Sequence, residues 1–301
     1  MNLESFFLPL LLLAASLLAG FAWLARCRAQ REGQRQLVAT ISACRSMLSL
    51  MAQLQQHRGM SSAWLAGDQS FRPRMQAKAS EIERLLPSLR AVALQEGACA
   101  FPCLTANQLA LFRFNWQSLL ERLASLSVEQ SIAQHSQLIE ELLKWLAALG
   151  EARVESALRD AQRAALARIY LGRLPVLTEC LGQARALGAG VAARGNCSAV
   201  ARVRLLFLIA RAEVVLGQAV TICAGMPESE RASAAVVEMA EVVRARLLAN
   251  EGVSIGASAY FELATKAVDA VYVWIEVCGG WVARAAQAAD EANAALLAQR
   301  S

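Results

Sequence analysis

The stretch Leu54-Gln55-Gln56-His57-Arg58-Gly59-Met60-Ser61-Ser62 decides the reading of this chain. It lies inside a long helical run in which Leu48, Met51 and Leu54 share one apolar face. An arginine on such a face needs a counter-charge, because an unpaired interior charge is very costly. Small side chains follow it and leave room for something compact against the backbone. The pattern returns in Leu181-Gly182-Gln183-Ala184-Arg185-Ala186-Leu187-Gly188. Leu54/Leu181, Gln56/Gln183 and Arg58/Arg185 share one offset, and small residues follow both arginines. Two arginines on matching elements of a duplicated helical unit read as a clamp for a small anion. The competing reading is that each pairs with a glutamate on a neighbouring helix or snorkels to solvent.

Outward from this stretch, helices are the only regular element the pattern supports. Apolar residues recur at spacings of three and four from about residue 30 onward, and alternating β-branched runs are absent. Breaks at Gly67-Asp68, Gly97 to Pro102, Leu126-Ser127, Gly150, Gly195-Asn196, Pro227 and Asn250-Glu251-Gly252 divide the chain into eight helices. Ser127 is the expected N-cap of the fourth, and Pro175 kinks the fifth, about 161 to 194, or marks its true start. Four helices followed by four more predict an all-α fold of two stacked antiparallel four-helix bundles, about 34–150 and 151–301, within one domain 29–301.

Before that domain, residues 1–28 read as a membrane anchor. Phe6 to Ala25 carries no charge and has the length of a bilayer-spanning helix. No basic residue precedes it, and Arg26, Arg28, Arg31 and Arg35 crowd behind it, which argues against a cleaved signal and places the bulk of the chain in the cytoplasm. The expectation is a single-pass inner-membrane protein. Leu205 to Ile209 is apolar on more than one face but short and flanked by Arg202, Arg204 and Arg211, so it reads as a buried helix.

Composition excludes several classes. Hydrophobic residues make up 56% and charged ones 18%, with a net charge of +5, so the chain is neither disordered nor strongly basic. Basic residues beyond the anchor are interleaved with acids and not clustered with aromatics, which gives nucleic-acid binding little support. The eight cysteines are scattered and fit structural thiols; Cys99 and Cys103, the one close pair, could bridge or join in binding a metal, but neither histidine adjoins them. There is no phosphate-binding loop, no nucleotide fingerprint and no zinc motif. Only His57 and His135 could serve a histidine-centred nucleophile, and His135, in the polar stretch Gln134 to Gln137, is expected at the surface. The residues describe no enzyme, metal site or cofactor site.

The motif Leu54-Gln55-Gln56-His57-Arg58-Gly59-Met60-Ser61-Ser62-x-x-Leu65 resembles the first-helix motif of the nitrate- and nitrite-sensing (NIT) family. The resemblance continues through Leu126 to Gln130, His135-Ser136-x-Leu138-Ile139, Leu174-Pro175 to Ala186 and Tyr260 to Asp269, in family order. It implies an all-helical sensor that responds to nitrate or nitrite through arginines near the interface of its two bundles. Carried across by position, Arg58 and Arg185 match the family's anion-binding arginines, and a third basic position falls on Arg246 or its neighbour Arg244. His57 stands where relatives usually carry a charged residue; as a neutral imidazole it still donates one hydrogen bond. Gly59, Ser61, Ser62 and Gly188 are placed to bring backbone or hydroxyl donors close. Nitrate is planar with three equivalent oxygens, so guanidinium groups can meet its edges with paired hydrogen bonds. No output module follows the eighth helix, so the signal is expected to pass to a separate protein, to a second copy in a homodimer, or through the anchor. The alternative is a helical interaction scaffold that kept the bundles and lost the ligand.

Overall fold

The structure, a computed structural model, describes residues 4–158 and 160–298, with side chains from 16 to 288 apart from that of residue 159. The side chains of the apolar span up to Ala15 and of the alanine-rich tail beyond Ala288 lie outside the described residues. The elements are α1 (Glu4–Leu65), α2 (Phe71–Glu96), α3 (Ala106–Arg122), α4 (Val128–Leu149), α5 (Ala161–Arg168), α6 (Leu174–Arg194), α7 (Ala199–Ile222), α8 (Pro227–Val242) and α9 (Ala257–Ala298). No strand occurs among the described residues.

Local chemistry sets the boundaries. Thr105 with Gln108, and Ser127 with Gln130, form reciprocal capping boxes at the starts of α3 and α4. Asp160 and Ser198 cap α5 and α7 by accepting from the backbone N–H of Arg163 and Ala201. Gly195 closes α6 in the left-handed conformation, φ +63°, that suits glycine. Between these ends the helix often continues where a break is expected. The backbone stays helical past Gly150 as a π-turn, Gly150–Val154, and two more π-turns occupy Ile169–Arg173 and Val243–Leu247. The expected fifth helix is thus α5, a π-turn and α6 in one run. Pro175 sits in the first turn of α6, where its missing N–H is cheapest.

In the first half α1 packs on α2 and α4, with α3 between α2 and α4. In the second half α6 packs on α7 and α9, with α8 between α7 and α9. The halves meet where α1 touches α9 and α6 and where α4 touches α6. Along this seam α1 runs opposite to α9, since Gln34, Arg45 and Gln55 bond in turn to Ala286, Gly279 and Tyr272. A continuous apolar core fills both halves, with Trp116 and Trp274 its largest fully buried side chains.

Two helices among the described residues are long and apolar enough to cross a membrane, by length and composition: Ser16–Leu65 within α1, and α7, with mean hydropathy 1.8. Leu17, Leu18, Phe21 and Leu24 lie exposed along the first. In α7, Leu205, Leu208, Ala212, Val215 and Ala219 are buried.

The seam between α6 and α9 is close enough to require a glycine. A Cβ at Gly188 would stand 2.4 Å from the Tyr260 ring, which is itself fully buried. Gly188→Ala should therefore destabilise the fold by about 1–3 kcal/mol through overpacking, read as a lower thermal midpoint. Gly59→Ala, where nothing stands within 4 Å of the added atom, should be neutral or slightly stabilising. Equal midpoints for the two variants would show that the α6–α9 contact is not the tight one.

Candidate functional site

Arg58 is 1% exposed and meets the carboxylate of Glu179 on α6 edge to edge. Its Nη1 donates to Oε1 at 2.6 Å and its Nη2 to Oε2 at 3.2 Å. Each carboxylate oxygen accepts a second bond, Oε1 from Gln183 Nε2 at 2.8 Å and Oε2 from Gln55 Nε2 at 2.9 Å. The remaining groups are tied in as well: Arg58 Nη1 donates to Ser136 Oγ at 2.8 Å, and Gln55 Oε1 accepts from the Tyr272 hydroxyl at 2.9 Å. One ion pair thus joins α1, α4, α6 and α9. The paired, charge-assisted bonds offset the cost of burying both charges. Gly182 makes the approach possible, since a Cβ there would stand 2.8 Å from Arg58 Nη2.

Arg185 lies on the same helix and is held differently. Only 8% exposed, it donates from Nη1 to Thr265 Oγ1 at 3.1 Å and stacks on the Phe261 ring at 5.2 Å. No carboxylate stands within ion-pair distance of it among the described residues. Burial first, then the nearby Arg58 charge, lower its pKa from the ordinary arginine value, while Asp269 opposes them. Arg58, Arg185 and Glu179 together carry one positive charge in excess. Tyr260, whose hydroxyl donates to the Ala184 carbonyl at 2.8 Å, fixes the backbone just before Arg185.

Beside Arg58 sits a pair of buried histidines. The sequence places His135 at the surface; the structure buries it completely on the inner face of α4. The polar neighbours Gln134 and Gln137 point that stretch outward in sequence, but the helical period turns His135 in with Ser131, Leu138 and Leu142. His135 Nδ1–H donates to the Ser131 carbonyl at 2.7 Å, so its Nε2 accepts from His57 Nδ1–H at 2.8 Å. That assignment follows from the hydrogen-bond network. It leaves His57 Nε2 buried without a partner, edge-on to Trp116 with ring centroids 5.0 Å apart. Burial lowers the His57 imidazole from 6.5 to about 4. His135 is held well below its ordinary value by burial and then by His57, with Arg58 adding to the effect.

The remaining expected site residues are spread out. Ser61 turns its hydroxyl to the His57 carbonyl at 2.7 Å, and Ser62 turns to that of Arg58 at 2.9 Å. Gly59 is half-buried with open space where a Cβ would go. Arg246 lies exposed in the π-turn after α8, and Arg244 pairs with Glu213 across to α7. Of the shared repeat, Gln183 reaches the ion pair but Gln56 is exposed, and Gln55 takes its place. The residue that sequence reasoning passed over is Glu179. A signal was present: it is the one acid between Asp160 and Glu213, a span holding eight arginines. Elsewhere, an open groove between α3 and α4, lined by Gln108, Phe112, Asn115, Gln134 and Glu141, includes neither arginine. All eight cysteines are free, Cys99 and Cys103 included. No cluster of metal-binding side chains occurs among the described residues.

The histidine pair gives a pH prediction. A base held neutral in the fold takes its proton only when the chain unfolds, so stability is flat above about pH 6.5 and falls as the pH drops toward 4. At pH 5 the loss from His57 alone is about 2 kcal/mol. The resistance of the native chain to urea should therefore fall between pH 7 and pH 5. The double variant His57→Gln, His135→Gln should show a flatter profile; equal slopes would mean that the histidines ionise freely in the fold.

The sequence matches the family described as nitrate and nitrite sensing over residues 49–277. The fold is similar to the solved structure of the NasR transcription antiterminator, with a TM-score of 0.68 and 23% identity, covering 92% of this chain and 77% of that one. No curated protein matches this chain in sequence. With that match spanning both halves and the seam where Arg58 and Arg185 are buried, the chain belongs to the nitrate- and nitrite-sensing (NIT) family.

Proposed function

We propose that this chain is a membrane-anchored receptor for nitrate or nitrite. The anion sits between the helical halves against Arg185 and Arg58 and signals through changed packing to a separate protein. The observation that carries the reading is Arg185: a guanidinium 8% exposed, with one hydroxyl and one ring as partners and no ion-paired carboxylate among the described residues. A buried charge left in that condition is stabilised by any anion that can reach it. A planar monoanion fits best, because a guanidinium edge offers two parallel donors. Arg246, exposed beyond α8, joins the proposal on the family resemblance, and reaches the anion only if the packing of the second half changes.

Family membership supplies the sensing role; anchoring by α1, cytoplasmic placement and output through a partner are parts of this proposal. A ligand changes a two-state packing only by binding one state better than the other. The seam of α1 against α6 and α9 is the place where such states can differ, since the buried charges lie there.

One observation favours the rival scaffold: Arg58 is already matched by a carboxylate with every oxygen bonded. Calorimetric titration separates the two. Nitrate should bind saturably to the full chain in lipid nanodiscs, chloride should not, and Arg58→Ala and Arg185→Ala should each weaken binding at least about tenfold, the size of one lost charge-assisted contact. No binding at millimolar nitrate would favour the scaffold.

A further inference from the structure

Glu179 is held as a bound anion would be. Its two oxygens lie in one delocalised plane and receive four N–H donors, two from Arg58 and one each from Gln55 and Gln183. A nitrate ion presents the same edge: two oxygens on a trigonal centre, sharing one negative charge. The donors that satisfy one therefore satisfy the other. Resting on the receptor reading above, we propose that Glu179 is a built-in competitor whose carboxylate fills the anion seat of the empty receptor and is displaced from Arg58 when nitrate binds.

Charge, reach and exit all agree with this. Arg58, Arg185 and Glu179 leave one positive charge in excess, and a monoanion that replaces Glu179 at Arg58 while also serving Arg185 keeps that balance without crowding two anions on one guanidinium edge. Arg185 lies six residues, under two turns, along α6 from Glu179, and the Arg58 charge is among the causes that lower its pKa. Glu179 is 5% exposed, and Gln183, one turn along the same helix, is only half-buried. The carboxylate thus has a path to water past its own hydrogen-bond partner. Gln55 keeps its second bond to Tyr272 whichever anion it serves, so the donor set stays in place during the exchange. What changes is the strut itself. With Glu179 in the seat, α6 is bonded covalently to the acceptor that α1 grips; with nitrate there, α1 grips a free ion and the α1–α6 clasp is released. The seat also sorts ligands by shape: trigonal monoanions present the required edge, whereas a spherical halide cannot use four donors set for two oxygens.

The test is nitrate titration and thermal unfolding of the full chain in nanodiscs, with Glu179→Ala, Glu179→Gln and Glu179→Asp beside the native protein. An internal competitor lowers apparent affinity by the fraction of time that it vacates the seat. Removing it should tighten nitrate binding about tenfold or more in Glu179→Ala, with a smaller gain in Glu179→Gln. Glu179→Asp, too short to reach Arg58 fully, should also bind tighter while keeping its charge and its fold. Nitrate should raise the thermal midpoint of each variant by more than it raises the native one. Nitrate binding that is unchanged or weaker in all three variants, with the native protein still binding, would overturn the competitor and leave the receptor standing. No binding by native protein or variants would overturn the receptor reading, and the competitor with it.

Discussion

A guanidinium and a carboxylate locked together in the buried seam between two helices are the constraint on which the rest of this structure depends. Burying either alone is prohibitive, and losing one partner of such a pair costs about 3–5 kcal/mol. Every neighbour is shaped by that condition. Gly182 is small because Arg58 Nη2 passes over it, Gln55 and Gln183 complete the carboxylate's bonds, and Ser136 takes the guanidinium's remaining reach. Helices from both halves are drawn to one point, so the halves cannot shift relative to one another without disturbing the pair.

Arg185 breaks the symmetry. Its partner arginine has a carboxylate; it has a threonine hydroxyl and a phenylalanine ring. A chain selected for stability alone gains by replacing such a residue with an apolar one. A chain that must respond to an anion gains by keeping one buried charge short of a partner, since the ligand's differential affinity is then large. The neutral histidine pair beside Arg58 fits the same economy of charge: a third or fourth cation there would repel both arginines, and burial keeps the imidazoles uncharged.

Much of this was legible in the residues. Helical period, the Ser127 cap, the break at Gly195 and the buried arginines at Arg58 and Arg185 all follow from spacing and side-chain type. The π-turns were not, because a one-residue widening of the helix leaves the apolar period nearly intact while shifting the faces on either side. His135 was misplaced for a related reason: two flanking glutamines outweighed the i, i+3, i+7 row that links it to Leu138 and Leu142. Glu179 carries the most instructive lesson. Two arginines drew attention to a missing external anion, whereas the one acid in an arginine-rich stretch already answered one of them. The long-range pairing of residues 58 and 179 has no local signature.

The most direct test of the account is a structure of the chain with nitrate bound. Nitrate oxygens should lie within hydrogen-bond distance of Arg185 and Arg58, with the Glu179 carboxylate beyond bonding range of Arg58. Nitrate bound elsewhere, with the Arg58–Glu179 pair intact, would contradict it.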